Sequence, residues 1–330
     1  MNSIDIVIPW VDGGDPKWQE DFKLYHSDPK STDARFERYR DWDLLKYWFR
    51  GVEKYAPWVR KVHFITYGHV PAWLDVNNEK LNIVNHKDYI NEKYLPVFNA
   101  NPIEIGIHNI NDLSEQFIYF NDDFYLINET TETDFFTNGL PNDLMVMNAI
   151  SGLDKTMLHI SVNNQYAINN NFNKLDVIRK NYLNYFNLKY NKKLIRNFLL
   201  SPWPNFTGFF DHHLPQPFLK ETYNQVWKAE KNILEETMKS RFRSISDVNQ
   251  YLFRYWQLCS GKFNPFDLSK LGQYYQVSDS NIMDISTCIR TTNKKIIVLN
   301  DGQVDDFDRA QVELIAAFED KLPNKSMFEL

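Results

Sequence analysis

Cysteine is nearly missing: Cys259 and Cys288 are the two in 330 residues, far apart and outside any metal-type spacing. That excludes a disulfide scaffold and reads as two reduced thiols in a reducing compartment. No run approaches the ~20 apolar residues of a membrane span, and Met1-Asn2-Ser3-Ile4-Asp5 lacks the basic patch and apolar core of a secretion leader. A soluble, cytoplasmic chain without a transmembrane segment is the expectation. Basic charge is not in excess either, and a formal net charge of −6 argues against nucleic acid as a general partner. There is no Walker loop, no G-x-G-x-x-G, no G-x-S-x-G and no zinc spacing.

What is present is a length ample for a full hydrophobic core and an aromatic content of 15%. Most of those rings fill a core, although aromatic faces also stack on sugars and bases. The most informative stretch is residues 117–126, where Asn121, Asp122 and Asp123 stand between two apolar, aromatic and β-branched runs. Such runs read as a strand buried on both faces, which tolerates charge only at its end. Ligands collect beyond the carboxyl ends of strands in open α/β sheets, and hard oxygens there suit Mg²⁺ or Mn²⁺ held jointly with a substrate diphosphate. Asn-Asp-Asp is equally ordinary hairpin-turn chemistry.

In chain order, residues 4–11 read as an opening strand that Asp12-Gly13-Gly14-Asp15-Pro16 stops. Pro9 cannot donate a ladder hydrogen bond and argues for an edge or a bulge near the strand end. Asp12 is placed to touch a sugar hydroxyl or a metal, or is a turn residue only. Residues 43–55 have helical spacing, and Arg40 and Arg50 are candidate phosphate contacts, because a guanidinium fork matches phosphate oxygens. Isolated arginines are also commonly salt-bridged. Residues 62–67 and 81–84 read as two further strands, so strands alternate with helices as in βαβ units. Glu104 and His108 share a face if helical, and bind metal or substrate or form a plain surface pair.

Residues 128–200 show little clean periodicity and read as loops or a variable insertion. Residues 215–260 read as helical, with Pro217 starting a helix and His213 just before it. A neutral imidazole suits a helix N-terminus and can act as base; a His pair is also a common structural feature. Ser244-x-x-Asp247 reads as a capping box with Arg243 at the helix entrance. Residues 296–301 repeat the earlier arrangement, an apolar strand ending in Asn300-Asp301.

Together these pieces resemble the Stealth family, which comprises bacterial capsular polysaccharide phosphotransferases and the eukaryotic N-acetylglucosamine-1-phosphotransferase. The first family region is similar to residues 4–13, and the second to Arg38-Tyr39-Arg40-Asp41 through Phe98-Asn99 to Phe120-Asn121-Asp122-Asp123. His213-Leu214-Pro215 through Arg241-Phe242-Arg243-Ser244 resembles the third, and Leu299-Asn300-Asp301 the fourth. The family's Tyr-Ser-Leu-Arg-Ser is here Tyr47-Trp48-Phe49-Arg50-Gly51, and its Ser-His-Ala-Ile-Glu is Ala100-Asn101-Pro102-Ile103-Glu104; these departures bear on substrate identity.

The resemblance implies one catalytic domain over residues 1–330, with a Rossmann-like, glycosyltransferase-type mixed α/β sheet flanked by helices and a helical C-terminal part. It implies transfer of a sugar-1-phosphate from a nucleotide-sugar donor to a hydroxyl of a polysaccharide acceptor, with Mg²⁺ or Mn²⁺ as cofactor. Peripheral association with a membrane or a capsule-assembly complex is compatible with it. The residues it marks are His213, Arg243, Asp123 and Asp12 for catalysis and Asp122, Asp123 and Asp301 for the metal. Arg40, Asp43, Arg50, Asn99, Glu104, His108, Asn121 and Asn300 are marked for substrate. A metal-dependent glycosyltransferase that releases nucleoside diphosphate, and a non-catalytic carbohydrate-binding protein, are the competing classes.

Overall fold

A computed structural model describes residues 3–26, 41–152 and 154–330. Its centre is β1 (Ile4–Pro9), whose alternating side chains feed two cores: Ile4, Ile6 and Ile8 enter one and Val7 the other. The main sheet runs β3 (Leu81–Asn85), β2 (Val62–Thr66), β1, β4 (Gln116–Tyr119), β8 (Gln216–Leu219). Its first four strands are parallel and β8 is antiparallel. From β1 the chain moves through α1 (Pro16–Tyr25) and α2 (Leu45–Tyr55) to β2 on one side, then returns to place β4 on the other. The carboxyl ends of β1 and β4 therefore flank a topological switch point, the crevice where open α/β sheets bind ligands.

Two small sheets extend the molecule. One joins β5 (Phe124–Leu126) antiparallel to β11 (Ile296–Asn300), which pairs in parallel with β10 (Gly272–Gln276). The other joins β6 (Phe136–Thr137), β7 (Leu140–Asp143) and β9 (Asn264–Pro265). One core lies under α2, α13 (Ile282–Thr291) and α14 (Phe307–Lys321); the other is closed by α10 (Lys220–Ala229), α11 (Lys231–Met238) and α12 (Tyr251–Cys259). In α2 the spacing of Leu45, Trp48, Phe49 and Val52 forms one buried stripe. Gly51 lets that helix lie against β5, since a Cβ there would meet the Leu126 carbonyl oxygen at 2.5 Å. Truncating the fully buried Phe49 to Ala would cost about 3–5 kcal/mol.

Several expectations are corrected. β1 is central, not an edge; Pro9 is tolerated because it is the last strand residue, beyond which Trp10 donates to the Ile65 carbonyl. Pro217 does not start a helix but sits in β8, an edge strand, where a missing N–H is harmless. Residues 128–200 are not loops. They include α5 (Glu132–Phe135), α6 (Lys155–Asn171), α7 (Lys174–Lys180), α8 (Tyr182–Tyr185) and α9 (Leu194–Leu200), and Asn163, Asn164 and Asn169 to Asn171 lie within α6. Ser244 and Asp247 bond to each other in a turn, and α12 begins only at Tyr251. The C-terminal part is mixed, with β10 and β11 between its helices.

Candidate active site

At the switch point, Asp12 follows β1 and Asn121-Asp122-Asp123 follows β4. The turn at 121–123 is not a hairpin, because the chain leaves the main sheet there and enters β5 of the second sheet. Asp12 is fixed on both sides: its Oδ1 accepts from the Gly14 amide at 2.7 Å, and its own amide donates to His69 Nε2 at 2.8 Å. Asp41 completes an acidic group. Its carboxyl is held above its usual value by desolvation and by Asp43 and Asp12, against the lowering bond from the Asp43 amide. The Asp122 side chain is exposed to solvent. Its carboxyl is raised above the usual value by desolvation and by the adjoining Asp123 charge, with Asp41 adding to them. Crowded like charges of this kind are relieved by a cation.

Asp123 has two distinct oxygens. Oδ2 lies 3.4 Å from Asn300 Nδ2 and 3.6 Å from His213 Nε2, while Oδ1 is buried and makes no hydrogen bond. The Leu299 amide donates to the Asp123 carbonyl at 3.0 Å, so antiparallel pairing of β5 with β11 brings the two Asn-Asp segments together. Among the described residues, no three acids or histidines already form a metal cluster. The expected joint set of Asp122, Asp123 and Asp301 is therefore not assembled, although Asn300 does bring its segment to Asp123. Divalent magnesium characteristically takes one or two carboxylates plus substrate phosphates, and the unpartnered Asp123 Oδ1 beside a crowded acid fits that donor set.

His213 does not precede a helix; it enters β8 and stands edge-on to Phe124 and Tyr274, with ring centroids 5.0 and 5.7 Å away. Its side chain is 38% exposed, whereas that of His212 is 2% exposed. His212 lies 3.5 Å from Asp143, which also accepts two bonds from the buried Arg254 at 2.8 Å. The two histidines thus differ: one faces the crevice and the other belongs to a buried ion network.

Glu104 links the third element. It is buried in α4 (Ala100–Ile105) and accepts from Tyr119 Oη at 3.0 Å and the Gln250 amide at 3.3 Å. Burial raises it to about 7 despite those bonds and the lowering charges of Arg243 and His213, which both lie within electrostatic reach. Arg243 touches Met157 Sδ at 3.6 Å and, among the described residues, has no carboxylate partner.

Other expected substrate residues are placed elsewhere. Arg50 is engaged through all its nitrogens, by Glu329 at 2.9 and 3.0 Å, Glu319 at 3.1 Å and the Leu322 carbonyl at 2.8 Å, so it clamps the C-terminal segment and is not a phosphate ligand. Asn99 is 1% exposed and bonds Asp247 at 2.8 Å and the Ser240 carbonyl at 3.1 Å, which makes it a bolt of the Arg243 loop. Glu104 and His108 share no helical face, because α4 ends at Ile105 and His108 lies in the following 3₁₀ turn. His108 packs on Tyr223 and Trp227 and is pushed down to about 4 by burial. Arg40 lies outside the described residues. Sequence reasoning gave no role at the site to Asp41, His69, Tyr119 and Asp247; for Asp41 the Arg-Asp-Trp-Asp string beside Asp43 was the available signal.

The family models for Stealth protein conserved regions 1 and 2 match residues 2–28 and 38–143. A capsular polysaccharide phosphotransferase WcwK of Streptococcus pneumoniae is 40% identical over 333 residues, covering 100% of this chain and 98% of that one. The chain belongs to the Stealth family. The receptor polysaccharide phosphotransferase WefC of Streptococcus oralis is 40% identical with both chains fully covered. The exopolysaccharide phosphotransferase cps2G of Lactiplantibacillus plantarum is 40% identical over 99% of this chain and 96% of that one. Among solved structures an active-site mutant of LgtC is similar at 11% identity and a TM-score of 0.41, covering 96% of this chain and 100% of that one. That likeness adds nothing to the topology described above. In this Stealth chain the two matched regions contain Asp12, Glu104, Asp122 and Asp123, while His213 and Asn300 lie beyond both and reach Asp123 only through the fold, and Arg243, also beyond both, comes within electrostatic reach of Glu104.

Proposed function

We propose that this protein transfers a sugar-1-phosphate from a nucleotide sugar to a hydroxyl of a polysaccharide acceptor and releases nucleoside monophosphate. The observation that carries the reading is Asp123, which turns one oxygen toward His213 and leaves the other buried and unpartnered. The acceptor oxygen forms a bond to the donor's β-phosphorus, the bond from that phosphorus to the nucleotide's bridging oxygen breaks, and the acceptor proton goes to the His213 ring. The imidazolium so formed lies 3.6 Å from the Asp123 carboxylate, which stabilises it. Arg243 offers a fork for the phosphoryl oxygens, and Glu104 holds the surrounding field. Asp123 through Oδ1, with Asp122 or Asp301, would hold Mg²⁺ or Mn²⁺, which supplies charge neutralisation for the diphosphate when bound. Asp12 and Asn121 face the donor from the same strand ends. No helix among the described residues is long and apolar enough to cross a membrane; action in the cytoplasm, where nucleotide sugars are made, is part of the proposal. Incubation with a panel of nucleotide sugars, Mg²⁺ and a polysaccharide primer tests it. Nucleoside monophosphate is the expected product, nucleoside diphosphate would make the protein an ordinary glycosyltransferase, and no nucleotide release would leave a carbohydrate-binding protein.

A further inference from the structure

The layer formed by α7, α8, the 3₁₀ turn Leu188–Lys193 and α9 buries Val177, Tyr185 and Tyr190 in the core and yet keeps a large apolar surface outside. Its inward side chains include Lys174 and Asn197, both fully buried and pinned by polar bonds. Lys174 Nζ donates to the Leu200 and Trp203 carbonyls at 2.7 Å, and Asn197 bonds Met145, Tyr185 and Met147 backbone at 2.6 to 2.8 Å. Outward stand Tyr182, Leu183, Leu188, Ile195, Phe198 and Leu199, with Leu183 78% and Leu188 84% exposed. Scattered exposed apolar side chains are ordinary, but these six fall between Tyr182 and Leu199, a density that is not. Phe186 joins the helices, its ring 5.0 Å from Tyr182 and 4.8 Å from Phe198.

The charge of this layer is opposite to that of the molecule. Residues 174–203 hold seven Lys or Arg and a single acid, Asp176, in a chain whose formal net charge is −6. Arg179, Lys180, Lys189 and Lys192 are exposed and interleaved in sequence with the apolar residues, Arg179 lying 3.7 Å from Asp176. Lys193 and Arg196 turn inward instead and lie over the Phe210 ring at 5.4 and 5.5 Å, three residues before His213. Apolar and aromatic side chains interleaved with cations are the chemistry of insertion at an anionic bilayer surface. A two-fold dimer through the same face would set these cations against their copies, which charge repulsion opposes.

We infer that residues 174–203 form a peripheral membrane-docking surface for anionic lipid. The inference stands on the surface alone; that docking brings the crevice to acceptors held at the bilayer rests on the function proposed above. Sedimentation of the full chain with vesicles of phosphatidylcholine alone, and of phosphatidylcholine mixed with phosphatidylglycerol, tests it without any measure of turnover. Binding should require the anionic lipid and weaken with added salt. It should fall about tenfold or more in Leu183→Ser/Phe198→Ser and in Lys189→Glu/Lys192→Glu, because each cation near an anionic surface contributes several-fold to affinity. All four side chains are exposed, so both variants should keep the wild-type melting temperature. Absence of binding to the mixed vesicles, or variants that bind as the parent does, would overturn the inference. So would a concentration-dependent dimer in sedimentation velocity that the same substitutions dissolve, since the face would then belong to a second copy.

Discussion

Asp123 concentrates the chemistry of the site, because its two oxygens have separate surroundings. Asp123→Asn should abolish metal-dependent turnover and leave the melting curve intact; activity in that variant would remove the residue from the mechanism. The adjacent histidines separate in the same way. His213→Ala should lower kcat by about 10²–10⁴-fold with donor binding kept, as loss of a positioned base does. His212→Ala should instead lower the melting temperature, since Asp143 and Arg254 are buried beside it. Equal kinetic losses in the two variants would contradict the assignment. Arg243→Lys keeps the charge and loses the fork, so it should be a poor substitute, and wild-type turnover would count against phosphate contact. The resemblance points to His213 over His212 because His213 directly precedes Leu214-Pro215, and the exposed ring beside Asp123 is His213. The opposite roles of Arg50 and Asn99 were not legible in the sequence, since an arginine on a helix reads alike whether it meets phosphate or Glu329.

Among the elements, the loop carrying Arg243 depends on one buried carboxylate. Asp247 Oδ2 accepts from Asn99 at 2.8 Å, Asn101 at 2.9 Å and the Ser244 amide at 3.0 Å, which ties the loop to the start of α4. Asp247→Ala strands buried donors at roughly 1–3 kcal/mol each. Stability and kcat should therefore fall together; a lower melting temperature with unchanged kcat would show that this anchor does not position Arg243. The strands β1 to β4 and β11, and α2, were legible because their apolar runs are clean. The helix α6 was not, because its inward row Ile160, Asn164, Ile168 has an amide at its centre, satisfied by Asn249 at 2.8 Å. Likewise α7 to α9 bury polar groups and expose leucines, which erases the pattern by which helices are read. Pro217 misled because a proline suits an edge strand as well as a helix start, and only the pairing with β4 decides.

Across the whole molecule, Arg50 joins α2 to the last residues of the chain. Removing it leaves Glu329 buried without its partner, and breaking such a pair costs about 3–5 kcal/mol. Arg50→Ala should thus melt earlier while keeping its KM for donor; a raised KM at unchanged stability would return Arg50 to the phosphate site. Glu104 supplies a pH dependence. Its folded-state value of about 7 lies above the ordinary 4.5, so the folded chain holds the proton more tightly than the unfolded chain. Its contribution to stability is fully present below about 4.5 and is lost as pH rises through about 7. Melting temperatures at pH 5 and 8 should show that wild type loses more on going to pH 8 than Glu104→Gln does, and parallel losses would contradict the shift. The central claim is that phosphorus moves with the sugar. Phosphorus NMR of a complete reaction with nucleotide sugar, Mg²⁺ and acceptor follows it directly. The account predicts nucleoside monophosphate together with a phosphodiester in the polymer, whereas nucleoside diphosphate with no phosphorus in the polymer would contradict it.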